Sequence, residues 1–422
     1  MTTSATRRAI SLAVLVGALG YFVDIYDLIL FSMVRTRSVA DLGVPADQIR
    51  DQGIYLFNMQ MGGLLLGGIL WGVLGDKRGR LSVLFGSITM YSIANIANGL
   101  VHGVDAYAVC RLFAGIGLAG ELGAGVTLVS ELMSKHTRGL GTMIVAAPGI
   151  TGGLLAGWIG GAFGEGLPWR TAYFVGGGLG IALLILRLGV AESGMFKTTV
   201  KKQVERGNFF KLFASRKRFL PYLTLICAGI PIWYTIGVLY TFSNDIGKAL
   251  GLAEAPNPAR VLFFDYGGAA IGGVLAGLLS QRLQSRRRAM AIFMACLAVM
   301  VAAYFLIGGL SSPLFYALCG LGGVFTGYWV VFMSTAAELF GTNLRATVAI
   351  TAPNFVRGSA VLFTLGFKQL TPSLGLVGAA LAGGVVAFGI GVIGLVKVRE
   401  TFHVDLDFHE VDDAEPQAIA AA

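Results

Sequence analysis

Polar residues along this chain gather in short stretches, and the runs between them stay apolar for about the length a helix needs to cross a bilayer, roughly 20 residues. Twelve such runs predict twelve spanning helices, at about 10–34, 54–75, 81–101, 105–132, 140–162, 170–190, 220–244, 261–280, 289–309, 314–338, 347–369 and 373–396. The long interior polar stretch holds Lys197, Lys201, Lys202, Arg206, Lys211, Arg216, Lys217 and Arg218 and divides the runs six and six. The expected organisation is a first half over 1–190, a basic linker over 191–219, a second half over 220–397 and an acidic tail over 398–422. The linker suits a short amphipathic helix on an anionic lipid surface. The tail reads as solvated and disordered. A mixed-charge loop over 35–53 (Arg35, Arg37, Asp41, Asp47, Arg50, Asp51) is too short to form a domain.

One short phrase occurs twice. Residues 130–139 read Ser-Glu-Leu-Met-Ser-Lys-His-Thr-Arg-Gly and residues 337–346 read Ala-Glu-Leu-Phe-Gly-Thr-Asn-Leu-Arg-Ala. In each, a Glu-Leu pair closes an apolar run and an Arg follows seven residues after the Glu (Glu131 to Arg138, Glu338 to Arg345), 207 residues apart in a chain of 422. The fold class expected is therefore an all-α polytopic membrane protein of two pseudo-symmetric six-helix halves, the internal symmetry common in secondary transporters.

Composition agrees: mean hydropathy is +0.74, 55% of residues are apolar and 13% are charged, a balance foreign to a soluble domain of this size. The 61 glycines suit close helix packing in lipid. The net charge of +9 reads as topology rather than as a nucleic-acid surface. With both termini on one side, 23 of 32 Lys and Arg fall on that side, seven on the other, and two (Arg111 and Arg357) within runs. The richer side is expected in the cytosol. Arg7 and Arg8 precede a first run too long for a cleaved leader, so it is read as a span. Cys110, Cys227, Cys296 and Cys319 lie within runs without metal-ligand spacing, and His102, His136, His403 and His409 lie in loops or the tail. No enzyme, metal site or cofactor is expected; a proton is the expected coupling ion.

After the second run comes Gly72-Val-Leu-Gly75-Asp76-Lys77-Arg78-Gly79-Arg80. This is a tight turn in which Asp76 can meet the positive end of a neighbouring helix and the basic residues, Arg80 among them, hold the cytosolic side. The string resembles the signature loop of the major facilitator superfamily. Its second-half counterpart, Gly277-Leu-Leu-Ser-Gln281-Arg282, has lost the acid. Arg111-Leu-Phe-Ala-Gly115-Ile-Gly117-Leu-Ala-Gly120-Glu121 resembles the fourth helix of metabolite–proton symporters and sugar porters, and Glu131 with Arg138 their next loop. Asp24-Ile-Tyr26-Asp27, Pro168-Trp169-Arg170 and Glu192-Ser193 are similar to the metabolite–proton and aromatic-acid symporters. The resemblance covers nearly the whole chain and implies a twelve-helix transporter in a bacterial inner membrane. Family members carry organic acids, zwitterions or sugars, so it does not name a substrate.

Charges inside spans mark function or buried pairs. Asp24 and Asp27, three apart, share one helix face and suit a proton carrier, or else a wet vestibule. Arg111 is expected at the depth of Asp27; the resemblance implies an acid on span 1 facing an Arg on span 4, with a permanent ion pair as the alternative. Glu121, about 15 Å further along span 4, is either a second coupling acid or a structural partner. Arg357, with Asn354 on the same face, offers a two-pronged clamp for a substrate carboxylate, or else a salt bridge to Asp24, Glu121 or Asp265. Asp265 is expected to be structural, capping a gate or pairing with Arg260. Tyr26, Asn58, Gln60, Trp233, Tyr234, Tyr328 and Trp329 are candidate cavity residues, and Asp76, Arg80, Glu131, Arg138, Glu338 and Arg345 candidate gate residues. The expected function is proton-coupled uptake of a small carboxylate-bearing metabolite by alternating access. A sugar or zwitterion symporter and a proton-antiport efflux pump are the alternatives. The expected partners are an organic anion and the bilayer, no nucleic acid, and the working unit a monomer.

Overall fold

The computed structural model describes residues 4–78, 80–121, 145–192, 209–341 and 344–404. Among them the regular elements are helices: α1 (Ser4–Asp41), α2 (Ile49–Arg78), α3 (Arg80–Leu100), α4 (Val104–Leu118), α5 (Gly152–Ile159), α6 (Trp169–Glu192), α7 (Arg216–Tyr234), α8 (Ser243–Ala249), α9 (Pro258–Leu283), α10 (Arg286–Ile307), α11 (Ser312–Thr326), α12 (Trp329–Glu338), α13 (Arg345–Gly358) and α14 (Ala360–Lys397). A π-helical turn, Thr235–Tyr240, continues α7 beyond Pro231, whose missing N–H breaks the regular ladder.

Among the described residues, nine stretches are long and apolar enough to cross a membrane. The last, Thr347–Lys397, has 51 residues, far more than one crossing requires. It folds back at Gly375, whose φ of 69° lies where a side chain is strained, just after Pro372. It therefore holds the eleventh and twelfth spans. The fourth and fifth spans are described in part, through α4 and through Val145–Ile159; the remainder of both, 122–144, lies outside the described residues, as do most of the linker and the tail from 405.

Two boundaries differ from expectation. α1 continues past 34 to Asp41 because nothing breaks it before Gly43, at φ +80°, so Arg35 and Arg37 are helical rather than in a loop. α7 begins at Arg216, where the Ser215 side chain accepts from the Lys217 N–H at 3.2 Å and caps the helix inside the expected linker.

The duplicated halves pack alike. α2 lies against α4, and α9 against α11, at glycine contacts: a Cβ on Gly63 or Gly115 would collide with the Leu112 or Gln60 carbonyl, and on Gly268 or Gly272 with that of Gly320 or Val324. The halves join along α2–α13 and α5–α9, which are equivalent pairs under the duplication.

The second copy of the repeated phrase closes the end of the bundle where α1 starts, here called the basic end. Arg286 donates to both Glu338 oxygens at 3.0 and 3.3 Å, and the Thr401 hydroxyl adds a bond at 2.9 Å. Glu400 accepts from the Ser285 hydroxyl and from the N–H groups of Arg286 and Arg287 at the start of α10. Partial burial works against the charged form of Glu400, but these bonds and that from the Phe402 N–H outweigh it and hold the carboxyl below its ordinary value. The beginning of the tail is thus docked rather than solvated. Arg345 is buried in the first turn of α13.

Candidate functional site

α13 carries Arg357 into the centre of the bundle, where its side chain is 1% exposed and pairs with the fully buried Asp24 of α1, Nη2 to Oδ2, at 3.1 Å. One partner comes from each half. The pair is single-pronged: Arg357 Nε and Asp24 Oδ1 are buried without hydrogen bonds. The indoles of Trp233 on α7 and Trp329 on α12 each lie 5.8 Å from the guanidinium carbon, within reach of a cation–π contact. Trp329 Nε1 donates to the Tyr21 hydroxyl at 3.0 Å. Arg357, Trp233, Trp329 and Tyr21, with Asp265, Tyr266 and Thr326, line a cavity of about 30 Å³. That is room for a water molecule or two, not for a metabolite.

The cavity is small because the halves touch on both sides of it. Toward the opposite end, Arg35 Nη2 reaches Asn244 at 2.9 Å and Asp245 at 3.4 Å over the Phe242 ring, Thr241 bonds Ser32 at 3.1 Å, and Asp51 pairs with Lys368 at 3.1 Å. Toward the basic end, Asn354 Nδ2 donates to the Ala119 carbonyl at 2.8 Å and Thr347 reaches that of Gly72 at 3.4 Å. The structure is closed around its centre. A larger cavity, about 680 Å³, opens at the end opposite the basic one beside Arg37, Gly164 and Pro258, and none of the candidate residues lines it.

Asp27 does not share the environment of Asp24. It points into the first half, against Gly176 of α6 and beside Asn95 of α3, with both oxygens buried and without hydrogen bonds. Arg111 forms no ion pair with it. Its guanidinium donates to the Gln60 side chain and, at 3.3 Å, to the Tyr173 hydroxyl, and it lies 4.4 Å over the Phe31 ring. The expected facing of span 1 acid and span 4 Arg is therefore replaced by proximity without contact.

Glu121 is held within the first half by Arg187 of α6, in a two-pronged pair at 2.7 and 2.9 Å, and by Ser87 at 2.8 Å. Arg187, which the sequence places near a cytosolic end, is 5% exposed. The pair joins the fourth span to α6, and breaking it leaves a charge without its partner. Arg187→Ala is expected to cost about 3–5 kcal/mol of stability, read as a large fall in melting temperature, while ligand affinity of the folded fraction stays unchanged.

Several expected cavity residues face neighbouring helices instead. Tyr26, Tyr234 and Tyr328 donate to the carbonyls of Ala172, Ala380 and Ala228 at 2.8, 2.5 and 2.9 Å. Asn58 accepts from Thr364 at 2.6 Å, and Gln60 is held by Arg111. Asn354, although three residues from Arg357, bonds the fourth helix. Asp265 does not pair with Arg260, which turns to the Ala162 carbonyl at 2.7 Å. The side chains of Asp76 and Arg80, and Glu131 and Arg138 entirely, lie outside the described residues. Sequence reasoning missed Arg187, Arg35, Tyr21 and Tyr266. The two arginines carried a signal, as charges at the edges of apolar runs; the tyrosines carried none.

The architecture is that of a membrane transporter with its polar site between two halves. The chain belongs to the Major Facilitator Superfamily, whose family model matches residues 17–365. It is 28% identical over 387 residues, 88% of this chain and 93% of the relative, to the 3-(3-hydroxy-phenyl)propionate transporter of Escherichia coli (strain K12). It is 24% identical over 417 residues, 94% of this chain and 93% of the relative, to the probable 4-methylmuconolactone transporter of Cupriavidus pinatubonensis. The sialic acid transporter NanX of Escherichia coli (strain K12) is 24% identical over 79% of this chain and 84% of its own length.

Proposed function

We propose that this protein takes up a small organic acid with a ring-sized apolar body, driven by protons and working by alternating access. The observation that carries the reading is the buried Arg357–Asp24 pair between the halves, flanked by Trp233 and Trp329. A substrate carboxylate and Asp24 compete for one guanidinium. Protonating Asp24 removes its claim and leaves Arg357 as an uncompensated buried cation, which a carboxylate then satisfies. Proton and anion therefore favour each other's binding, which is the linkage a symporter needs. The indoles supply apolar faces for the body of the acid. Asp27 takes up a proton without losing an ion pair and serves as a staging point one helical turn away.

The relatives' names support an organic acid. Of the candidate groups a neutral sugar would use, the hydroxyls of Tyr26, Tyr234 and Tyr328 and one amide atom each of Asn58, Gln60 and Asn354 are already bonded to protein. The basic end is taken to face the cytosol of a bacterial inner membrane, with the monomer as the working unit.

A binding panel on the purified protein tests this, read by tryptophan fluorescence at mildly acidic and neutral pH. It holds 3-phenylpropionate, its 3-hydroxy derivative, aliphatic mono- and dicarboxylates, betaine and glucose. Aromatic acids are expected to bind, and more tightly at acidic pH. Binding of glucose or betaine alone sinks the reading.

A further inference from the structure

The mechanism above leaves a fully buried charged side chain of the central cavity without a task. Asp265 of α9 is 0% exposed, and neither carboxylate oxygen has a hydrogen bond. Its neighbours do not fill the gap. Thr326 lies within reach of the carboxylate but gives its hydroxyl hydrogen to the Gly323 carbonyl at 2.8 Å, Arg260 is turned away to Ala162, and Arg357 is paired with Asp24. Tyr240 and Cys319 lie near it and bring no cation. A carboxyl with both oxygens dry and unpaired is costly, and an isolated one in a packed core is rarely retained without use. Asp265 is not isolated: it lines the same central cavity as Arg357, Trp233 and Trp329. That cavity has a donor on one wall, a bare acceptor on another and two indoles beside them.

We infer that Asp265 is a second anchor for the substrate, accepting a hydrogen bond from a hydroxyl or ammonium group carried opposite the carboxylate that Arg357 holds. The substrate class is then an acid with a hydrogen-bond donor at its far end, and Asp265 separates such acids from their unsubstituted counterparts. A pocket that hydrogen-bonds a ligand donor discriminates strongly against the analogue lacking it, because its own group is left unpaired. The inference rests on Arg357 as the carboxylate clamp.

The test compares three probes on wild type and on Asp265→Ala: 3-phenylpropionate, its 3-hydroxy derivative and its 3-aminomethyl derivative. Affinities are measured by isothermal titration. Wild type is expected to prefer one substituted acid by about tenfold to a hundredfold, the range for a hydrogen bond to a charged group. Asp265→Ala should bring that ratio to near one, with the loss of affinity confined to the acid that Asp265 favours and no loss for 3-phenylpropionate. Which derivative is preferred decides between hydroxyl and ammonium. If Asp265→Ala does not fold, Asp265→Asn, which keeps the shape and one acceptor oxygen, should retain part of a hydroxyl preference and lose an ammonium preference. The inference alone is overturned if 3-phenylpropionate binds through Arg357 and wild type shows no preference. It also falls if the preference survives in Asp265→Ala, or if an ammonium preference survives in Asp265→Asn. Equal losses for all three acids would make Asp265 structural. Failure of every acid to bind wild type removes the Arg357 reading as well.

Discussion

Arg357→Ala is expected to abolish acid binding and to destabilise the protein together. The guanidinium is the single cation on the wall of the central cavity among the described residues, so its loss removes the only full charge that can meet a carboxylate there. It also strands Asp24, which is 0% exposed and has no other hydrogen bond. Removing one partner of a buried pair typically costs about 3–5 kcal/mol, most of it the penalty on the charge left behind. The two effects separate in a double variant. Arg357→Ala with Asp24→Ala removes both charges, so its melting temperature should recover most of the loss while acid binding stays absent. Arg357→Lys keeps a charge without the planar fork and is expected to weaken acid affinity about tenfold or more, in line with one lost charge-assisted hydrogen bond. Thermal melts and titration of the four proteins provide the check. Retained affinity in Arg357→Ala moves the anion site elsewhere.

The twelve spans were legible because a bilayer makes simple demands: enough length, few charges, and a backbone bonded to itself. The site was legible only where a charge interrupts an apolar run. Arg357 stood out for that reason, yet its partner did not. Asp24 and Asp27 differ by about 60° around the helix, and that difference sends one to α13 of the second half and the other to α6 of the first. Sequence spacing places both on one face and cannot divide them. Arg187 is a charge at the edge of an apolar run, three residues from its predicted end, where a long side chain normally reaches water. Its carboxylate partner, Glu121, is 66 residues away in the chain. The tyrosines failed for another reason. Tyr26, Tyr234 and Tyr328 each cap a carbonyl on a neighbouring helix, and which carbonyl is free depends on packing that no local pattern records.

The division of labour between the two span 1 acids gives the sharpest test of coupling. In wild type, acid affinity should rise as pH falls, because each proton that settles on Asp24 releases Arg357 to the ligand. Asp24→Asn makes that release permanent. The variant is expected to bind acids tightly at neutral and acidic pH alike and to exchange labelled acid across a membrane. It should fail to accumulate acid against a gradient when a pH difference is imposed on proteoliposomes. Asp24→Asn is expected to lose less stability than Arg357→Ala, since the amide oxygen still accepts from Nη2, and to regain what it loses when an acid is added, since the stranded group is a cation that the ligand satisfies. Asp27→Asn is the matched control. Asp27 does not touch Arg357, so the pH dependence of binding should survive in it. Proton delivery, and with it the rate of driven uptake, should fall. If Asp27→Asn flattens the pH dependence and Asp24→Asn does not, the coupling proton belongs to the carboxylate in the first half, beside Arg111. The Arg357–Asp24 pair is then a fixed tie between the halves that must break on opening but carries no proton.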